Sequence, residues 1–146
     1  MYRPLPDGLT IKSSQIEGLG LFATVDIEKN TFIGVTHIRD EQFENKYIRT
    51  PLGGFYNHSN KPTVIRMVSD VLPKLKFGDP VDPKANTKQI KDGKNDRENM
   101  FYNLNEKSDA KYMFMVSIKN IKAGEELTAN YNLYTYPKTG IGIQML

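Results

Sequence analysis

Apolar and polar positions along this chain fall into short runs, the spacing of strands more than of long helices. Residues 9–13 and 20–23 are brief extended candidates, and residues 31–38 (Thr31-Phe32-Ile33-Gly34-Val35-Thr36-His37-Ile38) are rich enough in β-branched side chains to predict a strand. Residues 39–48 are good helix formers and set Phe43, Tyr47 and Ile48 at i, i+4 and i+5, which predicts a short amphipathic helix. Pro51-Leu52-Gly53-Gly54 then breaks the chain. Residues 62–68, 99–104 and 111–118 read as strands, the last two flanking a polar connector at 105–110 and expected to pair as an antiparallel hairpin. A turn at 121–125 delivers Leu127, Thr128 and Tyr131 to the centre. The pattern describes a mainly β protein with few short helices.

Residues 69–98 interrupt this rhythm with a stretch rich in Pro, Gly, Asp, Asn and Lys. From Asp79 to Glu98 its bases (Lys84, Lys88, Lys91, Lys94 and Arg97) are matched by as many acids, so the segment is close to neutral and poor in apolar side chains. Such a loop gains little burial against its ordering entropy. It is expected to be a mobile polar insertion within a single domain spanning residues 1–146, the other reading being a lid over a substrate.

Composition narrows the classes. With 146 residues the chain has the length of one domain. No apolar run is long enough for a membrane-spanning helix, and no apolar stretch of the export type follows Met1-Tyr2-Arg3-Pro4, so an intracellular site is the default expectation. There is no cysteine and there are only two histidines, which excludes disulfides and thiolate zinc sites and makes a structural metal improbable. The formal net charge of +3 does not choose a partner. Aromatic residues lie in strand-like runs and not within a basic stripe, so nucleic-acid binding is not the expected role.

Three motifs carry chemistry. Gly18-Leu19-Gly20 opens the run that continues Leu21-Phe22-Ala23; Asn57-His58-Ser59 follows Gly53-Gly54; and Gly124-Glu125-Glu126-Leu127-Thr128-Ala129-Asn130-Tyr131 lies near the end. Singly each is ordinary, since glycine pairs and Asn-His-Ser mark turns, and a lone tyrosine or histidine is most often a satisfied core residue. Taken together and in this order they resemble the SET-domain protein-lysine methyltransferases, in a minimal form without zinc-binding flanking segments. That resemblance implies a β-clip architecture with a threaded, pseudoknot-like C-terminal segment, S-adenosylmethionine as cofactor, and a lysine-bearing protein or peptide as substrate, a histone-like or other basic protein among them.

The resemblance also implies roles. Tyr131 ends the signature as the catalytic residue, its hydroxyl orienting the lysine amine for in-line attack, a reaction whose main demand is geometry. Glu17, Gly18, Leu19 and Gly20 would contact the cofactor chiefly through their backbone, and the glycines permit close approach. Asn57 and His58 would grip its methionine and adenine portions. Without zinc-binding flanks, the tail after Tyr131 closes the site, with Tyr134 or Tyr136 covering the adenine or simply packing the end segment. Glu126 is read as structural and not as a general base.

Departures from the family pattern bear on the substrate. The segment around Asn57 lacks the usual leading Arg, and Thr63 stands where an Asn is common. Ala129 replaces a frequent aromatic and Asn130 a frequent Asp, opening one wall of the lysine channel, for which Tyr56, Tyr102 or Tyr112 would compensate. The alternative function is a SET-like cofactor- or peptide-binding module with little turnover, since fold does not guarantee activity.

Overall fold

The computed structural model describes residues 4–43, 47–81, 87–91 and 111–137, with only the backbone described for 87–91 and 132–137. Among the described residues are nine strands: β1 (Leu9–Ser13), β2 (Leu19–Ala23), β3 (Phe32–Arg39), β4 (Tyr47–Arg49), β5 (Asn57–His58), β6 (Val64–Ser69), β7 (Thr87–Lys91), β8 (Tyr112–Ser117) and β9 (Glu126–Pro137). The 3-10 turn Pro51–Gly54 precedes β5. Strands at 9–13, 20–23, 31–38, 62–68 and 111–118 are therefore found within a residue or two of their expected bounds. The expected strand at 99–104 lies outside the described residues.

Among the described residues of 39–48 there is no helix, against the expectation for that run. Asp40 folds the chain into a turn, its Oδ1 accepting from Gln42 N at 2.9 Å and its carbonyl from Phe43 N at 3.1 Å. Tyr47–Arg49 then runs back along β3, pairing Arg39 with Tyr47, Ile38 with Ile48 and His37 with Arg49. Physics favours the strand because a helix this short is marginal on its own. Strand pairing satisfies the backbone and buries Tyr47, whose ring meets His37 edge-on with centroids 6.2 Å apart, while Phe43 is left 49% exposed.

The strand order is β1-β2-β9-β6-β8-β3-β4, with β5 and β7 also paired to β9. β6 is the middle of the sheet, antiparallel to β8 from Val64↔Ser117 to Ser69↔Tyr112 and parallel to β9. All six of its residues are buried. Alternation sends Val64, Met115 and Ile33 into one core cluster with Leu21, Leu127, Tyr56 and Ala129, and Ile65, Met67, Phe114, Val116 and Phe32 into a second. A sheet covered on both faces needs apolar side chains at successive positions, which explains the unbroken Met113-Phe114-Met115-Val116.

Within residues 69–98 the chain is not uniformly loop. Val81 is buried in the second cluster, Thr31 bridges Pro80, and β7 pairs antiparallel with β9 from Thr87↔Pro137 to Lys91↔Leu133. Part of this polar segment therefore finds its backbone partners on the last strand.

Candidate active site

The first two motifs meet the third around Glu126. Its carboxylate accepts from Asn57 Nδ2 at 2.8 Å and from Ser14 Oγ at 2.9 Å. Ser14 Oγ in turn accepts from Asn57 Nδ2 at 3.1 Å and from Ile16 N at 2.9 Å. The Glu17 and Leu19 carbonyls lie 3.3 Å from the same Asn57 nitrogen. Asn57, Ser14 and Glu126 thus form a buckle that fastens the β1–β2 loop to β9. Gly20 is required inside it: a Cβ there would stand 2.3 Å from Glu126 Oε2.

The far side of this loop is open. Glu17, Gly18 and Leu19 are exposed, Gly18 sits at φ 49° in the left-handed region, and nothing lies within 4 Å of where its Cβ would stand. The result is a rigidly backed shelf of backbone with space beside it.

Tyr131 lies in β9 where the ladder is interrupted. Its N–H donates to His58 Nδ1 at 3.0 Å and its hydroxyl donates to the Tyr56 carbonyl at 2.8 Å. The Tyr131 ring meets Tyr56 edge-on at 5.7 Å and His58 at 5.1 Å. Accepting at Nδ1 assigns the proton of the neutral His58 ring to Nε2, which donates to Asn60 Oδ1 at 3.3 Å. These contacts follow from parallel pairing of β5 on β9, Asn57 opposite Thr128 and His58 opposite Ala129. The Tyr131 proton is committed to Tyr56, so toward any further partner its oxygen acts as an acceptor.

The expected residues fall into three groups. Glu17, Gly18, Leu19, Gly20, Asn57, His58, Tyr56, Ala129 and Tyr131 are brought together by β2, β5 and β9. Asn57 and His58 spend the polar atoms described above on the protein itself, so they hold the loop and Tyr131 in place. Ala129 is fully buried in the core with Tyr56, and Tyr131 packs against it. Tyr112 is elsewhere: it pairs with Ser69 at the opposite end of β6 from Val64, the partner of Ala129, roughly 16 Å along the strand. There it lines a cleft with Ile38, Arg39, Glu41 and Lys111. Tyr134 is on β9 opposite Arg66, its side chain outside the described residues, and Tyr102 is outside them altogether.

Two participants were not expected. Ser14 reads as an ordinary turn residue, and only the fold brings it 112 positions along the chain to Glu126. Arg66 carried a visible signal, a single charge inside the apolar strand run Val64-Ile65-Arg66-Met67-Val68. It is fully buried, its Cζ 5.8 Å from the Tyr131 ring centroid. Its charge also acts on His37, whose pKa is pushed down to about 3, first by burial and then by the positive charges of Arg66 and Arg49.

Fold and site together define a β-rich domain in which a glycine loop, a short Asn-His strand and a tyrosine-bearing last strand converge on one point. The SET domain family model matches residues 18–132, and the chain belongs to that family, whose members are methyltransferases. Among solved structures it is similar to a Plasmodium falciparum protein assigned as a histone methyltransferase (18% identity, TM-score 0.48, 84% of this chain and 96% of that one). It is also similar to the Chaetomium thermophilum Polycomb Repressive Complex 2 (20% identity, TM-score 0.51, 87% of this chain). An active polycomb repressive complex 2 in its stimulated state gives 21% identity and a TM-score of 0.50 over 86% of this chain. The chain spans 15% of each of those two polycomb chains. No curated protein sequence matches it.

Proposed function

We propose that this protein is an S-adenosylmethionine-dependent protein-lysine methyltransferase in which Tyr131 orients the acceptor amine. The observation that carries this reading is the Tyr131 hydroxyl bound to the Tyr56 carbonyl beside the backed loop at Glu17-Gly18-Leu19-Gly20. The residues fit the cofactor: the loop is open where Gly18 lacks a side chain, and the Glu17 carboxylate suits a cationic ligand. When bound, S-adenosylmethionine supplies an electrophilic methyl on a sulfonium.

Glu17, Gly18, Leu19 and Gly20 would hold that cofactor mainly through backbone groups. Asn57 and Glu126 keep the loop in place from behind, and His58 holds the Tyr131 backbone. The Tyr131 oxygen accepts an N–H of the neutral lysine amine and so turns its lone pair along the line of attack. Pre-organising two reactants in this way supplies on the order of 7–11 kcal/mol in favourable cases, without a covalent intermediate. The substrate is a lysine-bearing protein segment.

Transfer of labelled methyl from S-adenosylmethionine to a panel of basic proteins, with mass-spectrometric site assignment, tests the reading. Label on lysine that collapses in Tyr131→Phe supports it. Cofactor binding without label on any protein would favour the binding-module alternative, and absence of cofactor binding would overturn the assignment of the loop.

A further inference from the structure

β9 does not run regularly beside β6. Val64 pairs with Ala129 and Arg66 with Tyr134, so a single β6 residue, Ile65, faces four on β9, 130–133. The looped-out stretch contains Tyr131. Backbone groups displaced from a ladder need other partners when they are covered by protein, and here side chains provide them. His58 Nδ1 accepts the Tyr131 N–H, while Arg66 Nη2 donates to the carbonyls of both Asn130, at 3.0 Å, and Tyr131. Nη2 carries two hydrogens, one for each carbonyl. The guanidinium also stands within cation–π range of the Tyr131 ring.

We propose that Arg66 is a positioning residue for methyl transfer: its buried guanidinium clamps the looped-out Asn130-Tyr131 backbone from beneath and thereby fixes where the Tyr131 hydroxyl stands. The assignment rests on the lysine methyltransferase reading. A planar fork is suited to this task, because two coplanar N–H bonds diverge at a fixed angle onto two successive carbonyls. Lysine keeps the charge but lacks that fork and, as a compact point charge, stacks less well on a ring. Arg66 acts through Tyr131, whose backbone and ring it contacts.

The test compares wild type, Arg66→Lys and Arg66→Met in the full chain. Four quantities are read: kcat and KM for methyl transfer to the best protein substrate, cofactor Kd by calorimetry, and the tyrosine ring 13Cζ resonance assigned to Tyr131 through Tyr131→Phe. Arg66→Lys is expected to lower kcat roughly 10- to 100-fold, as a misplacement on the ångström scale does, with cofactor Kd within about twofold of wild type and the Tyr131 resonance shifted or broadened. Wild-type kcat together with an unmoved Tyr131 resonance in Arg66→Lys would overturn the assignment.

Should neither variant fold, 15N-arginine spectra of the wild-type protein decide. Slowly exchanging Arg66 Nη protons with cross-peaks to the Tyr131 ring support the clamp, and fast exchange without such cross-peaks rejects it. If wild type methylates no protein, the enzyme reading fails by itself, and the two spectroscopic measurements still accept or reject the hold of Arg66 on Tyr131.

Discussion

Tyr131 and Tyr56 are joined twice, by a hydroxyl-to-carbonyl hydrogen bond of 2.8 Å and by rings that meet at 85° with centroids 5.7 Å apart. The ring contact does not need the hydroxyl, so packing and chemistry at Tyr131 are separable by one atom.

Tyr131→Phe is therefore expected to keep the fold and lose the reaction. Loss of one hydrogen bond costs about 1 kcal/mol of stability, whereas loss of the orienting oxygen lowers methyl transfer by about 100-fold or more. Cofactor affinity measured by calorimetry stays near wild type. A variant that transfers methyl at the wild-type rate would remove Tyr131 from the reaction.

Asn57→Ala opens the buckle. Glu126 and Ser14 lose their shared donor in a half-buried setting, at a cost of about 1–3 kcal/mol. The unfastened loop then binds S-adenosylmethionine roughly tenfold more weakly, the equivalent of about 1.4 kcal/mol. Chemical denaturation and calorimetry measure the two effects; unchanged cofactor affinity would show that the loop holds its shape without Asn57.

Gly20→Ala attacks the same buckle from the other side. The new methyl would stand 2.3 Å from Glu126 Oε2 and 2.9 Å from Glu126 Cδ, and that carboxylate is pinned by Asn57 and Ser14. Displacing it undoes what Asn57→Ala undoes, so the double variant is expected to cost less than the sum of the singles by at least about 0.5 kcal/mol. Strict additivity in a double-mutant cycle would mean that the two residues do not act through one carboxylate.

Acid sensitivity should trace to His37. Its pKa is about 3 when folded against 6.5 for the ordinary group, so between those values the unfolded chain binds the extra proton. Its stabilising effect is complete above pH 6.5 and is lost as pH falls toward 3, with a slope of at most ~1.4 kcal/mol per pH unit. Urea unfolding between pH 6.5 and 5, above most carboxylate titrations, should show this slope in wild type and a flatter one in His37→Gln. Equal slopes would place the sensitivity on other groups.

What could be read along the chain was local or ordered. Strand positions were legible because β-branched and apolar runs at 31–38, 62–68 and 111–118 encode burial residue by residue. The family was legible because three short motifs kept their order, and the convergence of Gly18-Leu19-Gly20, Asn57-His58 and Tyr131 came with it. The short strand at Tyr47–Arg49 was not, since helix propensity is a weak local preference and the edge of β3 was free to pair with it.

Tertiary structure alone decided which polar atoms the site spends on itself. Asn57 and His58 are expected from their motif to face a ligand, yet their described bonds hold the loop and the Tyr131 backbone, a choice made by the parallel register of β5 on β9. Ser14 and Arg66 entered the site by the same route, through contacts 112 and 65 positions apart in the chain. Tyr112 left it because β8 runs antiparallel to β6 and carries that ring to the far end. Sequence patterns record what each residue can bury or bond; the register of strands far apart in sequence determines which partner it meets.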